Sequence, residues 1–345
     1  MSTLFQQLLD EVGMGKRAVT ATPPHLFPVK SRVSTIGSVG AGKSAVVAGV
    51  VMAAETLVAD DENFFCRVIE GTSEIHQDVS NLRDGHFPAK TVPFGAFASE
   101  AGLLLEWERR FLGRVAGTKR LQVPICDVAG EDLQQMIRQV RMAGPLGDYH
   151  KQAVRNLIAY VRESDGFIVT IKATRAKGLF PHGQQLEREQ DLKLSADPDV
   201  NLVRLLEELI NYKMTHRSRP IKGVAIVVTA WDRLKPVADK IGFDILNPLV
   251  GQQDLDNFVK GCFPAVYTAV KSLRIPNVVY FPSFFETEIN ESGTEKTWPD
   301  GSPVIKQRGD SYAVNPDEWW RDLRKISYSE RSYINMINWL KNFAM

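Results

Sequence analysis

A glycine-punctuated stretch near the start of the chain constrains its fold more than any other feature. Gly37-Ser38-Val39-Gly40-Ala41-Gly42-Lys43-Ser44 fits the spacing G-x-x-x-x-G-K-[ST], and it stands between a β-branched run, Val33 to Ile36, and an apolar helical pattern, Ser44 to Leu57. A turn this tight between a strand and a helix needs residues without a Cβ, and the helix that follows opens with unpaired N–H groups and about half a positive charge. Such a loop takes a polyphosphate in place of water. Lys43 is then placed to reach the β- and γ-phosphates and the Ser44 hydroxyl to ligate Mg²⁺. Gly37, Ser38, Val39, Gly40, Ala41, Gly42 and Ala45 complete the expected cradle.

Beyond this loop, apolar strand-like runs alternate with helical patterns from Arg32 onward. That alternation predicts an α/β fold, a mostly parallel sheet flanked by helices on both faces. Strands are expected near 32–36, 64–69, 102–109, 120–126, 166–171, 223–229 and 277–281. Helices are expected near 43–57, 131–142, 150–162, 199–214, 254–273 and 329–343, with Val203, Leu206, Leu209 and Ile210 on one face and Tyr333, Met336, Ile337 and Leu340 on another. Two stretches interrupt the rhythm, 174–198 and the polar segment 287–315, and are read as surface insertions or mobile loops. Residues 1–30 are expected to form an amphipathic helix and a Pro-containing linker, leaving 31–345 as a single domain that ends in a helix.

Composition narrows the class. Hydrophobic residues make up 44% and charged residues 24%, the mix of a chain with enough apolar surface to fold. The formal charge of +1 gives no global reason to expect nucleic acid or an acidic membrane as partner, which leaves room for a local basic patch. No run is long and apolar enough for a transmembrane segment, and Met1 to Leu9 lack a basic region followed by an apolar core, so a cytoplasmic location is expected. The three cysteines, Cys66, Cys126 and Cys262, lie far apart in apolar surroundings, which suits reduced core thiols.

After the strand Leu121 to Cys126 comes Asp127-Val128-Ala129-Gly130-Glu131, the pattern D-x-x-G at a strand's carboxyl end. A carboxylate there can hold Mg²⁺ through a water, and the glycine N–H can meet a γ-phosphate. A third run, Val227-Val228-Thr229-Ala230-Trp231-Asp232, closes another hydrophobic strand with an acidic residue.

With these motifs the chain resembles the Ras-like P-loop GTPases of the translation-factor-related class, and is most similar to the bacterial double-GTPase families. The resemblance implies that the run from Thr229 to Asp232 replaces the family's [NT]-K-x-D, with Asp232 accepting hydrogen bonds from the guanine N1–H and exocyclic amine. Ala230 stands in place of the family's lysine. The resemblance also makes Thr91, within Gly85-His86-Phe87-Pro88-Ala89-Lys90-Thr91, the first-switch threonine that binds Mg²⁺. Ser283, after the strand Val278 to Phe281, falls in the base-binding loop, and Trp231 is read as packing.

What the resemblance implies for function is a Mg²⁺-dependent protein that binds GTP and GDP, hydrolyses GTP, and acts as a molecular switch on a protein effector or a second GTPase subunit. Glu131 stands where the family often has a water-orienting glutamine, so slow turnover is expected. Arg83, Lys90, Arg138 and Arg141 lie near the switches, and none is assigned as an arginine finger. Two alternatives stay open: an ATPase or small-molecule kinase, favoured by Ala230, and a nucleotide-stabilised scaffold with little hydrolysis, favoured by Glu131.

Overall fold

Val33, Ser34, Thr35 and Ile36 are small or β-branched, which suits an extended chain enclosed on both faces, and the strand they form is buried throughout. The computed structural model describes residues 31–38, 40–60, 63–68, 73–88, 102–112, 114–124, 164–180, 202–203, 206–207, 220–245, 250–272, 274–290, 294–307 and 326–344. Along the chain come β1 (Val33–Gly37), α1 (Lys43–Asp60), β2 (Phe64–Val68), α2 (Ser73–Arg83), β3 (Gly102–Phe111) and β4 (Arg114–Pro124). They are followed by β5 (Gly166–Lys172), β6 (Gly223–Thr229), α3 (Gln252–Cys262), α4 (Pro264–Ser272), β7 (Val278–Pro282) and α5 (Glu330–Leu340).

Strands β1, β5, β6 and β7 form a four-stranded parallel sheet in the order β1-β5-β6-β7, and β2, β3 and β4 form an antiparallel ribbon. A parallel bridge between Arg32 and Gln122 joins the two at the start of β1, where the Gln122 N–H donates to the Ser31 carbonyl at 3.1 Å.

Alternation along the central strands divides the core. Phe167, Val169 and Ile171 of β5, with Val224, Ile226 and Val228 of β6, pack with Leu255, Phe258 and Val259 of α3 and Val266 and Val270 of α4. The intervening Ile168, Ala225 and Val227 pack in a second cluster with Val46, Val47 and Val50 of α1 and Met336, Ile337 and Leu340 of α5. Period-two alternation is what presents apolar side chains to both faces, and burying each large one contributes roughly 1.5–3 kcal/mol. The helical face at Tyr333, Met336, Ile337 and Leu340 is therefore core, as its spacing predicts; all four are completely buried.

At the contact of α1 with α5, Gly49 faces Tyr333, whose ring occupies the space a Cβ at Gly49 would need. Alanine normally stabilises a helix interior by roughly 1 kcal/mol over glycine. Here that gain is overridden, because a fully buried ring has nowhere to go. Gly49→Ala is expected to lower stability by about 1–3 kcal/mol, read from the denaturant midpoint.

Several elements differ from the sequence reading. The helix expected over 254–273 is two helices, broken at Phe263, because Pro264 disfavours a helical conformation at the residue before it and starts α4 instead. Helix α2 and the 3-10 segment Trp231–Lys240 were not expected. The strand expected at 120–126 begins earlier, at Arg114, and pairs antiparallel with β3. Within 287–307, isolated antiparallel bridges link Thr287 with Ile305, Ile289 with Glu295 and Thr297 with Pro303, so the described part of that segment is a bridged ribbon. Cys262 is buried and Cys66 half-buried, and burial raises both thiols' pKa; Cys126 lies outside the described residues.

Candidate functional site

The loop from β1 to α1 is shaped by two glycines in left-handed conformation, Gly40 (φ 64°) and Gly42 (φ 74°), a region costly for residues with a Cβ. The Ala41 N–H donates to the Ser38 carbonyl at 3.2 Å, and the Val46 N–H to the Gly42 carbonyl at 2.9 Å, which opens α1. Lys43 is the first residue of this 18-residue helix, and its first turn carries no acidic side chain. The amides of the first turn and the helix dipole therefore meet no opposing carboxylate from α1 itself. Gly37 is needed for a different reason: the Thr170 hydroxyl sits where its Cβ would be.

The register of the sheet brings other chain segments to this loop. Gly37 pairs with Thr170, and Thr170 with Val227, so residues just past the ends of β5 and β6 lie alongside the loop. Thr229 Oγ1 shares its proton between the Ala41 carbonyl at 3.0 Å and the Ile171 carbonyl at 3.1 Å, tying β6 to the crest of the loop. From the 3-10 turn Ala173–Arg175, Arg175 Nη1 donates to Ser38 Oγ at 2.7 Å. Its other terminal nitrogen lies 3.6 Å from where a Cβ on Gly40 would stand. Arg175 was absent from the sequence reading. The only signal was a cation three residues past a buried strand, and its meaning depends on the β1–β5 pairing.

Beyond Thr229 the chain turns through Ala230, itself left-handed at φ 52°. Trp231 is buried, donates its indole N–H to the Ile245 carbonyl at 2.7 Å and packs edge-on to Phe258, so its role is packing, as read from the sequence. Asp232 is also buried. Loss of water around it pushes its carboxyl up to about 6, against the opposing effects of Arg233 and Lys235. The Arg233 guanidinium stands 3.9 Å from Asp232 and also pairs with Glu295. Ser283 lies beside this turn: its N–H donates to the Val228 carbonyl and its carbonyl accepts from the Trp231 N–H. Its hydroxyl is in a 2.6 Å hydrogen bond with the Tyr333 hydroxyl.

The structure thus gathers Gly37, Ser38, Gly40, Ala41, Gly42, Lys43 and Thr229 at one end of the parallel sheet, with Ser44 and Ala45 next in α1. Asp232 and Ser283 follow just past the ends of β6 and β7. Val39, Thr91, Asp127, Gly130 and Glu131 lie outside the described residues, as do Lys90, Arg138 and Arg141. Arg83 pairs with Glu55 of α1. Among the described residues, no group of three or more His, Cys, Asp or Glu side chains gathers as a metal cluster. Comparison of the chain with family models, curated proteins and solved structures finds no match.

Proposed function

We propose that the protein binds a guanine nucleoside triphosphate with Mg²⁺ in the crevice at the carboxyl ends of β1, β5 and β6, hydrolyses GTP to GDP and phosphate, and acts as a nucleotide-controlled switch. The observation that carries this reading is the β1–α1 loop, with Gly40 and Gly42 both left-handed and Lys43 opening a long helix free of acidic residues in its first turn. Ligands of open parallel sheets sit at this end of the strands, where helix starts and loop amides converge. The loop suits a phosphate chain because its glycines leave the backbone approachable.

In this reading Ser44, Thr91 and Asp127 hold Mg²⁺, which when bound neutralises charge on the phosphates. Lys43 adds a second cation, Gly130 meets the γ-phosphate, and Asp232 selects the base. Glu131 beside Gly130 accepts a proton from water but offers no amide donor, and its charge opposes the phosphate, so intrinsic hydrolysis is slow. We place the protein in the cytoplasm, acting on a protein effector or a second GTPase subunit; no helix among the described residues is long and apolar enough to cross a membrane.

Titration with GTP, GDP, ATP and ADP in the presence of Mg²⁺ tests the assignment. Tighter binding of the guanine nucleotides is expected. Tighter binding of ATP would replace it with the ATPase reading that Ala230 favours. Multiple-turnover phosphate release then separates a slow hydrolase from a scaffold.

Arg175 gives a further check. With alanine at position 230, the Arg175 guanidinium, bonded to Ser38, offers the loop a cation from the end of β5. Arg175→Ala is expected to weaken GTP and GDP alike by about tenfold, the scale of a hydrogen bond to a charged group. Calorimetric titration measures this, and an unchanged melting temperature of the nucleotide-free protein separates a binding role from a structural one.

A further inference from the structure

Strands β3 and β4 continue past the core as a two-stranded ribbon. Leu103, Leu105 and Trp107 of β3 and Leu121 and Val123 of β4 are buried, whereas Arg109, Phe111, Leu112 and every residue from Arg114 to Arg120 are exposed. From Trp107 to Phe111 the ribbon advances about 14 Å at the usual rise of a strand. At its tip Phe111 is 71% and Leu112 87% exposed, with Val115 at 54% close behind. These are three of the five exposed large hydrophobic side chains among the described residues, and they fall on one turn.

The turn is also costly. Leu112 is left-handed at φ 49°, where glycine or asparagine would sit without strain. Retaining a large apolar side chain in that conformation, facing water, serves neither the turn nor the core. Around the tip cations outnumber acids: Arg109, Arg110 and Arg114 adjoin the turn and Lys119 follows, while further back Glu108 lies opposite Thr118 and Arg120 pairs with Glu106, in a chain whose overall charge is only +1.

We propose that the β3–β4 hairpin is a membrane-contacting wedge, with Phe111 and Leu112 entering the headgroup region of an anionic bilayer and Arg109, Arg114 and Lys119 meeting its phosphates. The ordering along the ribbon, apolar at the extremity and cationic behind it, matches the gradient from acyl chain to headgroup. A stable protein partner asks for about 800 Å² of complementary surface, which the convex tip of a two-stranded ribbon does not offer. An aromatic and an aliphatic side chain backed by cations are enough for reversible attachment to a charged lipid surface. The proposal is independent of the nucleotide assignment.

The test is flotation of the full chain with vesicles of phosphatidylcholine alone or with an equal amount of phosphatidylserine. Wild type is expected to float with the anionic vesicles only, less so as ionic strength rises. Phe111→Ser with Leu112→Gly is expected to weaken this at least about tenfold, by removing the apolar insertion while relieving the left-handed strain. Arg109→Glu with Arg114→Glu and Lys119→Glu is expected to weaken it by at least about tenfold as well. Each variant is first shown to melt no lower than wild type. Flotation that is absent, independent of phosphatidylserine, or unchanged in both variants overturns the proposal. So does single-stranded RNA or an acidic protein that binds the tip and leaves the vesicles unbound.

Discussion

Lys43→Ala is expected to weaken binding of every nucleoside triphosphate by roughly two to three orders of magnitude, the scale of removing one partner from a desolvated charge pair. The β1–α1 loop offers a triphosphate several amide dipoles but only one full charge, the Lys43 ammonium at the first position of α1. Amides position the phosphates, while the ammonium offsets charge that would otherwise leave water uncompensated. Loss of GTP affinity should exceed loss of GDP affinity, because the lysine is assigned to the β- and γ-phosphates and GDP lacks the latter. Lys43 is half-buried at the start of a helix whose stability comes from Val46, Val47 and Val50 in the core, so the fold should survive the substitution. Calorimetric titration in Mg²⁺ checks both expectations. Equal affinity in wild type and variant would remove the basis for any phosphate site here.

What could be read from the chain follows how local each constraint is. The β1–α1 loop was legible because its glycines are compressed into eight neighbouring residues, and both its strand and its helix are apolar enough to be recognised from their own composition. Strands β5 and β6 were legible for the same reason, as buried apolar runs. The partners of the loop were not. Arg175 meets Ser38 only because β5 lies beside β1, and no residue near either one encodes that pairing. Ser283 meets the Tyr333 hydroxyl across 50 residues, so its side chain has a partner that no motif announces. The split at Pro264 was available locally and was overridden by the continuous apolar spacing on either side. The first half of β4 escaped because Arg114 to Arg120 faces water and lacks the alternation by which a half-buried strand is recognised. Its exposure and charge are what make the hairpin tip a functional candidate.

Asp232→Asn is expected to reverse base preference, costing GTP on the order of a thousandfold in affinity while admitting the xanthosine triphosphate. A carboxylate accepts from both the N1–H and the exocyclic amine of guanine; an amide accepts once and presents its NH₂ to the other group, which xanthine meets with a carbonyl. Burial complicates this role in a measurable way. With its carboxyl raised from 3.8 to about 6, Asp232 retains a proton in the folded chain over a pH range in which the unfolded chain has already released it. The stability associated with the neutral carboxyl is therefore full below about pH 4 and lost as pH rises through about 6. At neutral pH the ionised form costs the fold on the order of 3 kcal/mol, which Asp232→Asn removes, so the variant should be the more stable protein near pH 7 and show little advantage below about pH 4. Guanine affinity of the wild type is expected to run the opposite way, full well above pH 6 and declining below it, because a protonated carboxyl cannot accept from both donors. Urea unfolding and GTP titration across that range should give curves of opposite slope in the wild type and neither slope in the variant. Parallel curves would mean that the Asp232 carboxyl does not face the base.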